Sequence, residues 1–210
     1  MKVTTCDLVN INNAAKTIKQ RNFIIMNHRL YGIDNLAYRF IYSDSVELNF
    51  EFPNGVIINT RKLSAFLKTI TTETEFIIKN NPNGSMEINT IADTLEMFFD
   101  NSIYVFLSNK LNAINSYNFI EHGDVSEELE RLFSMKKDDG ALHYIHNSTN
   151  PSSLYSRYFM IIFSGIFPIA KSDKISLSIC DTSQTSFTAK FTIHKKKNVN
   201  TTVVIAFLRI

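Results

Sequence analysis

Residues Gly55–Asn80, GVIINTRKLSAFLKTITTETEFIIKN, hold the pattern from which the fold can be predicted. The spacing i, i+3, i+4 and i+7, which marks one apolar face of an α-helix, is met by Leu63, Phe66, Leu67 and Ile70. Isoleucine, valine and phenylalanine flank this segment on both sides and favour strands there. The stretch therefore predicts a strand, a short amphipathic helix and a second strand.

The polar side of this helix carries Arg61, Lys62 and Lys68, and none of its residues is suited to catalysis. Asn59 or Thr60 can cap its first turn, because a short polar side chain accepts hydrogen bonds from the unpaired amides there. Taken alone, such a basic face is most often only solvated. The basic face becomes a candidate binding surface if the chain contains a second helix of the same kind.

A second short amphipathic helix is predicted in residues 10–21, NINNAAKTIKQR. Its apolar side consists of Ile11, Ala14, Ala15 and Ile18. On or near the opposite side lie Lys16, Lys19 and Arg21. If one sheet carries both helices on the same face, their basic sides form a surface that can contact DNA phosphates without reading bases.

The rest of the chain is rich in strand-forming segments. In the first half we predict a meander of strands in residues 22–33, 36–45 and 46–52, a hairpin around the NPNG turn in residues 75–80 and 85–90, and further apolar segments up to residue 108. In the second half we predict a helix at 126–134, a strand at 140–146, an apolar helix from Leu154, and closing strands at 174–180, 186–194 and 201–210. The order of helix, strands, helix and strand meander thus occurs twice.

This repetition predicts an α+β protein of two similar domains, each a β-meander sheet with short amphipathic helices packed on one face. The length of 210 residues suits two domains of about 100 residues each. We place the N-terminal domain at residues 1–108, a connector at 109–123 and a shortened C-terminal domain at 124–210.

Composition excludes several classes of protein. The formal net charge of +2 is too small for a histone-like polycation, so any basic site must be local. Cys6 and Cys180 have no metal-ligand spacing and predict reduced thiols in an intracellular protein. No apolar run approaches the ~18 residues of a membrane span, so we expect no membrane partner.

Motifs for catalysis are missing from the sequence. It contains no nucleophile elbow, phosphate-binding loop, dinucleotide fingerprint or zinc-protease motif. The two histidines of HYIH, in residues 143–146, point to opposite faces of a strand. The acidic residues 121–130 suit the start of a helix, and the lysines of residues 194–198 suit a solvated turn. We predict that the protein is not an enzyme, and we propose no catalytic residue, no metal site and no cofactor.

Three segments resemble DNA sliding clamps of the proliferating-cell-nuclear-antigen class. Residues 55–80 resemble the strand that leads into the second inner helix of a clamp and out through an acidic turn. Residues 30–45, LYGIDNLAYRFIYSDS, are similar to early clamp strands, and residues 154–210 look like the last inner helix, a basic-polar turn and three closing strands. The resemblance is to a divergent clamp of viral or phage type.

The resemblance implies a ring of duplicated domains with helices facing duplex DNA and sheets outside. The ring would be a homo-oligomer, a dimer or a trimer, although some viruses use a monomeric clamp-like processivity factor. A DNA polymerase or another client would dock a short peptide beside the connector, at intracellular sites of DNA replication. Carried over by position, the DNA-binding residues would be Lys16, Lys19 and Arg21 on the first inner helix, Arg61, Lys62 and Lys68 on the second, and Arg157, Lys171 and Lys174 at the last.

The resemblance leaves an alternative function open. The predicted helix at residues 126–134 is acidic, whereas an inner clamp helix is expected to be basic. This favours a clamp-fold scaffold or interaction protein, transcription-related or inhibitory, that does not encircle DNA. A virion structural protein is a third interpretation, based on the β-rich and aromatic composition alone.

Overall fold

The computed structural model describes residues 2–34, 40–49, 52–72, 75–127, 174–183, 186–195 and 199–208. The helices in this part of the chain are Thr5–Ile18 (α1), Thr60–Thr69 (α2) and Asn101–Asn115 (α3). The strands are Lys2–Thr4 (β1), Asn22–Met26 (β2), Arg29–Gly32 (β3), Phe40–Ser43 (β4), Val56–Asn59 (β5), Glu75–Ile77 (β6), Lys79–Asn80 (β7), Met86–Asn89 (β8), Thr94–Phe99 (β9), Ile120–Asp124 (β10), Lys174–Ser183 (β11), Ser186–His194 (β12) and Thr201–Leu208 (β13).

Within the described residues, eleven strands form one antiparallel sheet, in the order β10-β11-β12-β13-β4-β3-β2-β5-β9-β8-β7. The last strand of the chain, β13, pairs with β4 of the first half, with Val203 opposite Ile41. The sheet therefore runs through both halves without a break. The predicted α+β class is confirmed.

The first half consists of two units of the same design, each a strand, a helix and further strands. β1 precedes α1 but pairs with β6, which follows α2; Val3 lies opposite Phe76. Conversely, β5 precedes α2 but pairs with β2, which follows α1; Ile24 lies opposite Ile57. Because each unit gives its leading strand to the other, neither sheet is complete without both units.

Helix α1 begins before the predicted residues 10–21 and ends sooner. Thr4 and Asp7 form a capping box: the Asp7 amide donates to Thr4 Oγ1 at 3.1 Å, and the Thr4 amide donates to Asp7 Oδ2 at 2.9 Å. The Asp7 carboxylate also accepts from the Asn49 amide at 2.6 Å, which ties the following loop to the helix start. The first turn is polar, and the predicted start at residue 10 also overlooked Leu8, which extends the apolar spacing of Ile11.

The predicted meander differs from the structure at two places. Residues 22–33 are a hairpin, in which Asn27 and His28 form a tight turn with φ of 48° and 59°. Such a turn is usually marked by glycine, and no glycine marks it here. Residues 46–49 do not form the predicted strand; Val46 and Phe52 are instead buried at 2% and 8% exposure as anchors of a loop. The strand predicted at residues 75–80 is two strands, β6, which pairs with β1, and β7, which forms the predicted hairpin with β8.

Helices α1 and α2 pack on one face of the sheet. Leu8 and Ile11 of α1 and Leu63 and Phe66 of α2 are fully buried in this layer, against strand residues such as Ile25. In the second half, alternate residues of the closing strands are buried as part of the same cluster: Ile175, Leu177, Ile179, Phe187, Ala189, Phe191 and Ile193. The predicted placement of the helices on one face is confirmed for α1 and α2.

Helix α3 covers the opposite face of the sheet, over the aromatic pair Tyr31 and Phe40. It is capped by Asp100, whose carboxylate accepts from the Ile103 amide at 3.2 Å; the Ser102 hydroxyl bonded to the same group lowers the pKa of Asp100. Leu107 is the buried residue of α3, and it belongs to the same apolar cluster as Tyr31 and Phe40.

The predicted connector, residues 109–123, is therefore mostly regular structure. It holds the second half of α3 and most of β10, which pairs with β11. Leu111 and Ile114 continue the apolar face begun by Leu107, but the many asparagines between them hid this spacing. The domain boundaries at residues 108 and 123 remain a prediction.

The three closing strands are confirmed as β11, β12 and β13. The predicted helix at 126–134 lies outside the described residues beyond Glu127, as do the strand at 140–146, the HYIH pair and the helix from Leu154. Among the described helices, none combines the length and the apolar composition that crossing a membrane requires.

A stability prediction follows from Thr201, whose hydroxyl is buried and finds no hydrogen-bond partner among the described residues. We expect Thr201→Val to raise the free energy of unfolding by about 1 kcal/mol, because the hydroxyl gives up water and gains nothing in return. Thr202 is the matched control, since it is 4% exposed and its hydroxyl bonds to Tyr42. Thr202→Val should lower the free energy of unfolding, and urea denaturation of both variants checks the pair. Equal effects of the two substitutions would contradict the prediction.

Candidate nucleic-acid interface

Helices α1 and α2 lie side by side and run in opposite directions. Ser64 Oγ donates to Asn12 Oδ1 at 2.7 Å near their middle. At one end, Thr60 Oγ1 donates to the Gln20 carbonyl at 2.8 Å, and the Thr60 amide donates to the Arg21 carbonyl at 2.9 Å. The C-terminal end of α1 thus meets the N-terminal end of α2.

This junction brings together basic residues from two parts of the sequence. We name the set the basic corner: Lys16, Lys19, Arg21, Arg61 and Lys62, all of which are exposed. Residues 16–21 and 61–62 are about forty positions apart in the chain, and the Thr60 hydrogen bonds bring their backbones together. The sequence predicted the cations and a shared surface on one face of the sheet, but not the hydrogen bonds that join the two segments.

The basic surface continues along α2. Leu63 and Phe66 point into the core, and the opposite stripe is formed by Arg61, Ala65 and Lys68, all exposed. Arg61 and Lys68 are two turns apart, roughly 10 Å along the axis. α2 therefore presents a cation at each end of an exposed ridge, as the sequence predicted.

Helix α1 contributes less than the sequence predicted. Its exposed side consists of Cys6, Val9 and Asn13, followed by Lys16 in the last turn. Lys19 is not on the helix but caps it, and Arg21 lies between the helix and β2. The placement of Lys19 and Arg21 on the first inner helix is therefore corrected, because the helix ends at Ile18.

Lys19 adopts a backbone conformation that favours glycine. Its φ of 48° and ψ of 40° lie in the left-handed region. A side chain there costs about 1 kcal/mol, and helices that end this way usually have glycine at this position. A sequence selected for stability alone would not place lysine at residue 19.

The first turn of α2 also opposes local stability. The amide end of a helix carries a partial positive charge and favours acidic residues, yet this turn holds Arg61 and Lys62 and no acid. The unfavourable interaction is about 0.3–1 kcal/mol at an exposed site. The positive charge of the basic corner thus comes with two independent local losses of stability.

Only one of these cations is paired within the described part of the chain. Lys62 Nζ lies 3.3 Å from Glu96 Oε2, with side-chain exposures of 57% and 56%. An exposed pair of this kind contributes little and is screened by salt. For the other cations of the helix pair, no carboxylate of a described residue lies within ion-pair distance: Lys16, Lys19, Arg21, Arg61 and Lys68.

The remaining residues that the sequence predicted to bind DNA are not placed at the basic corner. Arg157 and Lys171 lie outside the described residues. Lys174 is exposed and opens β11 opposite His194, so it belongs to a strand and not to the predicted turn. Four strands separate β11 from β2 in the sheet, which is roughly 24 Å at the usual strand spacing. Lys174 is therefore far from the basic corner.

Polar residues that hold the corner together were missed by sequence reasoning. Asp34, Asn22 and Asn59 connect the turn after α1 to the first turn of α2 through hydrogen bonds. Asn59 could be found as a helix cap, but Asp34 has no local signal. In the described residues, no group of three or more histidine, cysteine or acidic side chains could hold a metal ion.

Comparison with known proteins gives matches among solved structures. No protein-family model and no curated protein matches the sequence. The chain is similar to a sliding clamp, DNA polymerase III subunit beta, from Pseudomonas aeruginosa bound to griselimycin: identity is 11%, the TM-score is 0.45, and the match covers 99% of this chain and 64% of the clamp. This chain thus spans less than two thirds of that bacterial protein.

Two archaeal structures match over nearly their full length. They are the PCNA2–PCNA3 complex of Sulfolobus tokodaii, at 11% identity and a TM-score of 0.40 over 98% of this chain and 97% of that one, and A. fulgidus PCNA bound to the C-terminal region of FEN-1, at 11% identity and a TM-score of 0.40 over 100% and 97%. These solved structures are of the same class as the one that the sequence resembles.

The backbone of Lys19 gives a second stability prediction. We expect Lys19→Gly to raise the free energy of unfolding by about 0.5–1 kcal/mol, because glycine adopts the left-handed conformation without steric cost. Lys16→Gly removes the same charge from the helix interior and should lower it by about 1 kcal/mol. Thermal and urea denaturation of the two variants measure this difference. A destabilised Lys19→Gly protein would show that the lysine side chain supports the fold.

Proposed function

We propose that the protein is a sliding-clamp-like DNA polymerase processivity factor that encircles or lies on duplex DNA. The observation that carries this proposal is the basic corner, where Lys19, Arg61 and Lys62 place positive charge at the expense of local stability. A nucleic-acid backbone is the partner that such charge attracts without shape-specific recognition.

The proposed mechanism is electrostatic retention. Phosphate contacts are sequence-independent, and each releases counterions, so their strength falls steeply with salt. Exposed cations on α2, one at each end of its ridge, can exchange one phosphate for the next without reading base edges. The protein can therefore slide along the duplex while it remains bound. No residue of the chain needs to act as a catalyst.

A client protein is proposed to dock on the opposite face of the sheet, where α3 lies. The exposed apolar residues of that region are Phe98, Phe99, Val105 and Phe106, at 50%, 46%, 46% and 44% exposure. The client would be a polymerase or another DNA-acting protein that docks a short peptide. A divergent viral or phage origin and a location at intracellular sites of DNA replication belong to the same proposal.

A scaffold or interaction protein without DNA encirclement is the alternative. One observation favours it: α3 exposes Val105 and Phe106, at 46% and 44% exposure, and exposed aromatic and apolar side chains are typical of the core of protein–protein interfaces. Such a scaffold would keep the docking face and lose the DNA face.

The double variant Arg61→Glu/Lys68→Glu tests the DNA face. We expect its association with a short duplex to weaken about 10- to 100-fold at low salt, and the slope of log affinity against log salt to fall by about 2, because two phosphate contacts are lost. Glutamate at residue 61 suits the amide end of α2 and glutamate at residue 68 opposes its carbonyl end, so the two effects offset each other and the fold should remain intact. Fluorescence anisotropy over a salt series measures both quantities.

The control for charge is Lys2→Glu/Lys79→Glu, which makes the same change of charge on β1 and β7; because Lys2 is paired with Glu75 and Lys79 lies opposite Glu87, circular dichroism first checks that this variant folds. Its DNA association should fall much less than that of the helix variant. If both double variants weaken binding equally, the protein's net charge explains the effect, and the proposed face is wrong. Unchanged binding in the helix variant would also reject it.

The proposed ring is tested by the mass of the protein in solution. Encirclement by a chain of this length requires several copies, so we expect a dimer or a trimer, measured by light scattering after size exclusion. A monomer that binds DNA would identify a factor that lies on the duplex and does not encircle it. A monomer that does not bind DNA would instead favour the scaffold.

A further inference from the structure

A continuous set of hydrogen bonds links the two segments that form the basic corner. Asp34 Oδ2 accepts from the Arg21 amide at 2.5 Å and from the Asn22 amide at 3.3 Å. Asp34 Oδ1 accepts from Asn22 Nδ2 at 3.3 Å. One carboxylate therefore holds the turn that carries Arg21.

The set continues into α2 through two side-chain amides. Asn22 Oδ1 accepts from Asn59 Nδ2 at 2.9 Å. Asn59 Oδ1 then accepts from the amides of Arg61 and Lys62, at 3.0 and 3.1 Å. Asp34 is thus connected to the first turn of α2 through Asn22 and Asn59.

The groups at the two ends determine which atoms donate and which accept along this series of hydrogen bonds. The helix amides are donors only, so Asn59 must present its oxygen to them and its NH₂ group to Asn22. Asn22 must then present its oxygen to Asn59 and its NH₂ group to residue 34. An acceptor is required at residue 34, and an ionised carboxylate offers acceptors on both of its oxygens.

Charge alone would argue against an acid at this position. The Asp34 carboxylate lies within hydrogen-bond distance of the Arg21 backbone, and its negative charge weakens the positive potential of the basic corner. A neutral residue would strengthen attraction to phosphate. The carboxylate must therefore provide something other than favourable charge.

We propose that Asp34 is a positioning residue for DNA retention, which holds Arg21 and, through Asn22 and Asn59, the first turn of α2 in one arrangement. This inference rests on the proposed function. Cations held in a fixed arrangement lose less conformational freedom when they meet phosphate, so the bound complex is more stable. Asp34 itself does not contact DNA.

The test compares two variants of equal charge, Asp34→Asn and Asp34→Ala. Asparagine keeps an acceptor for the Arg21 amide but presents its NH₂ group to Asn22 Nδ2, so it keeps the turn and loses the link to α2, whereas alanine removes every acceptor at residue 34. Glu96→Gln is the charge control, because it makes the same change of net charge beside Lys62 and leaves the set of hydrogen bonds intact. All three variants are measured by anisotropy on the same duplex, well below their melting temperatures.

We expect Glu96→Gln to bind DNA as tightly as the wild type or more tightly, and Asp34→Asn to bind with an affinity between those of Glu96→Gln and Asp34→Ala. Asp34→Ala should bind about 3- to 10-fold more weakly than Asp34→Asn, a loss of the size expected for hydrogen bonds of this kind. Amide hydrogen exchange at Arg21, Arg61 and Lys62 should accelerate in Asp34→Ala, since those amides lose support. A change of charge alone would not accelerate it.

Equal binding by Asp34→Asn and Asp34→Ala would overturn the positioning role, because charge would then explain both. The variant Arg61→Glu/Lys68→Glu, measured in the same assay, separates this outcome from failure of the proposed function. If that variant binds like the wild type, the DNA face itself is wrong. If it weakens binding while the two Asp34 variants agree, only the role of Asp34 is rejected.

Discussion

Each of the two helix-bearing units in the first half gives its leading strand to the sheet of the other, and the remaining architecture depends on this exchange. β1 pairs with β6 and β5 pairs with β2, so the two units form one body. The exchange relates the units by an approximate two-fold rotation, which explains why α1 and α2 lie antiparallel on one face of the sheet. The end of one helix must then meet the start of the other, and the basic corner forms at that meeting.

The antiparallel pair has an electrostatic consequence. The C-terminal end of α1 carries partial negative charge, which suits Lys16, whereas the N-terminal end of α2 carries partial positive charge, which opposes Arg61 and Lys62. The two dipole ends offset each other at short range, so the helices tolerate several cations at their junction. The fold therefore supplies a place where positive charge can accumulate at moderate cost to stability.

Local signals in the sequence explain which parts could be predicted. Helix α2 was found because its apolar spacing and its cap, Asn59, are all within twelve residues. The start of α1 was missed because a capping box defines it and because Leu8 was overlooked. The turn at Asn27 and His28 has no glycine, and α3 hides its apolar face among asparagines. Charges on single helices were thus predictable.

Contacts between segments distant in sequence were not predictable. Asp34 supports α2 through the side-chain amides of Asn22 on β2 and Asn59 on β5. No sequence pattern near residue 34 indicates this connection. The same holds for the Thr60 hydrogen bonds that join two basic segments. Only the topology of the sheet brings such groups together.

The two faces of the sheet place their cations differently, and this difference bears on how the chain is proposed to serve two partners. On the face with α1 and α2 the cations are exposed, whereas on the other face the ammonium groups of Lys110 and Lys190 lie over the rings of Phe106 and Phe119, near exposed apolar residues such as Val105. Phosphates are attracted to exposed cations, and an apolar peptide gains most where apolar side chains are exposed. Because the sheet lies between them, each face can be occupied without covering the other. A net charge of +2 is compatible with the proposed DNA retention, because the cations of the basic corner lie close together and their potential is local.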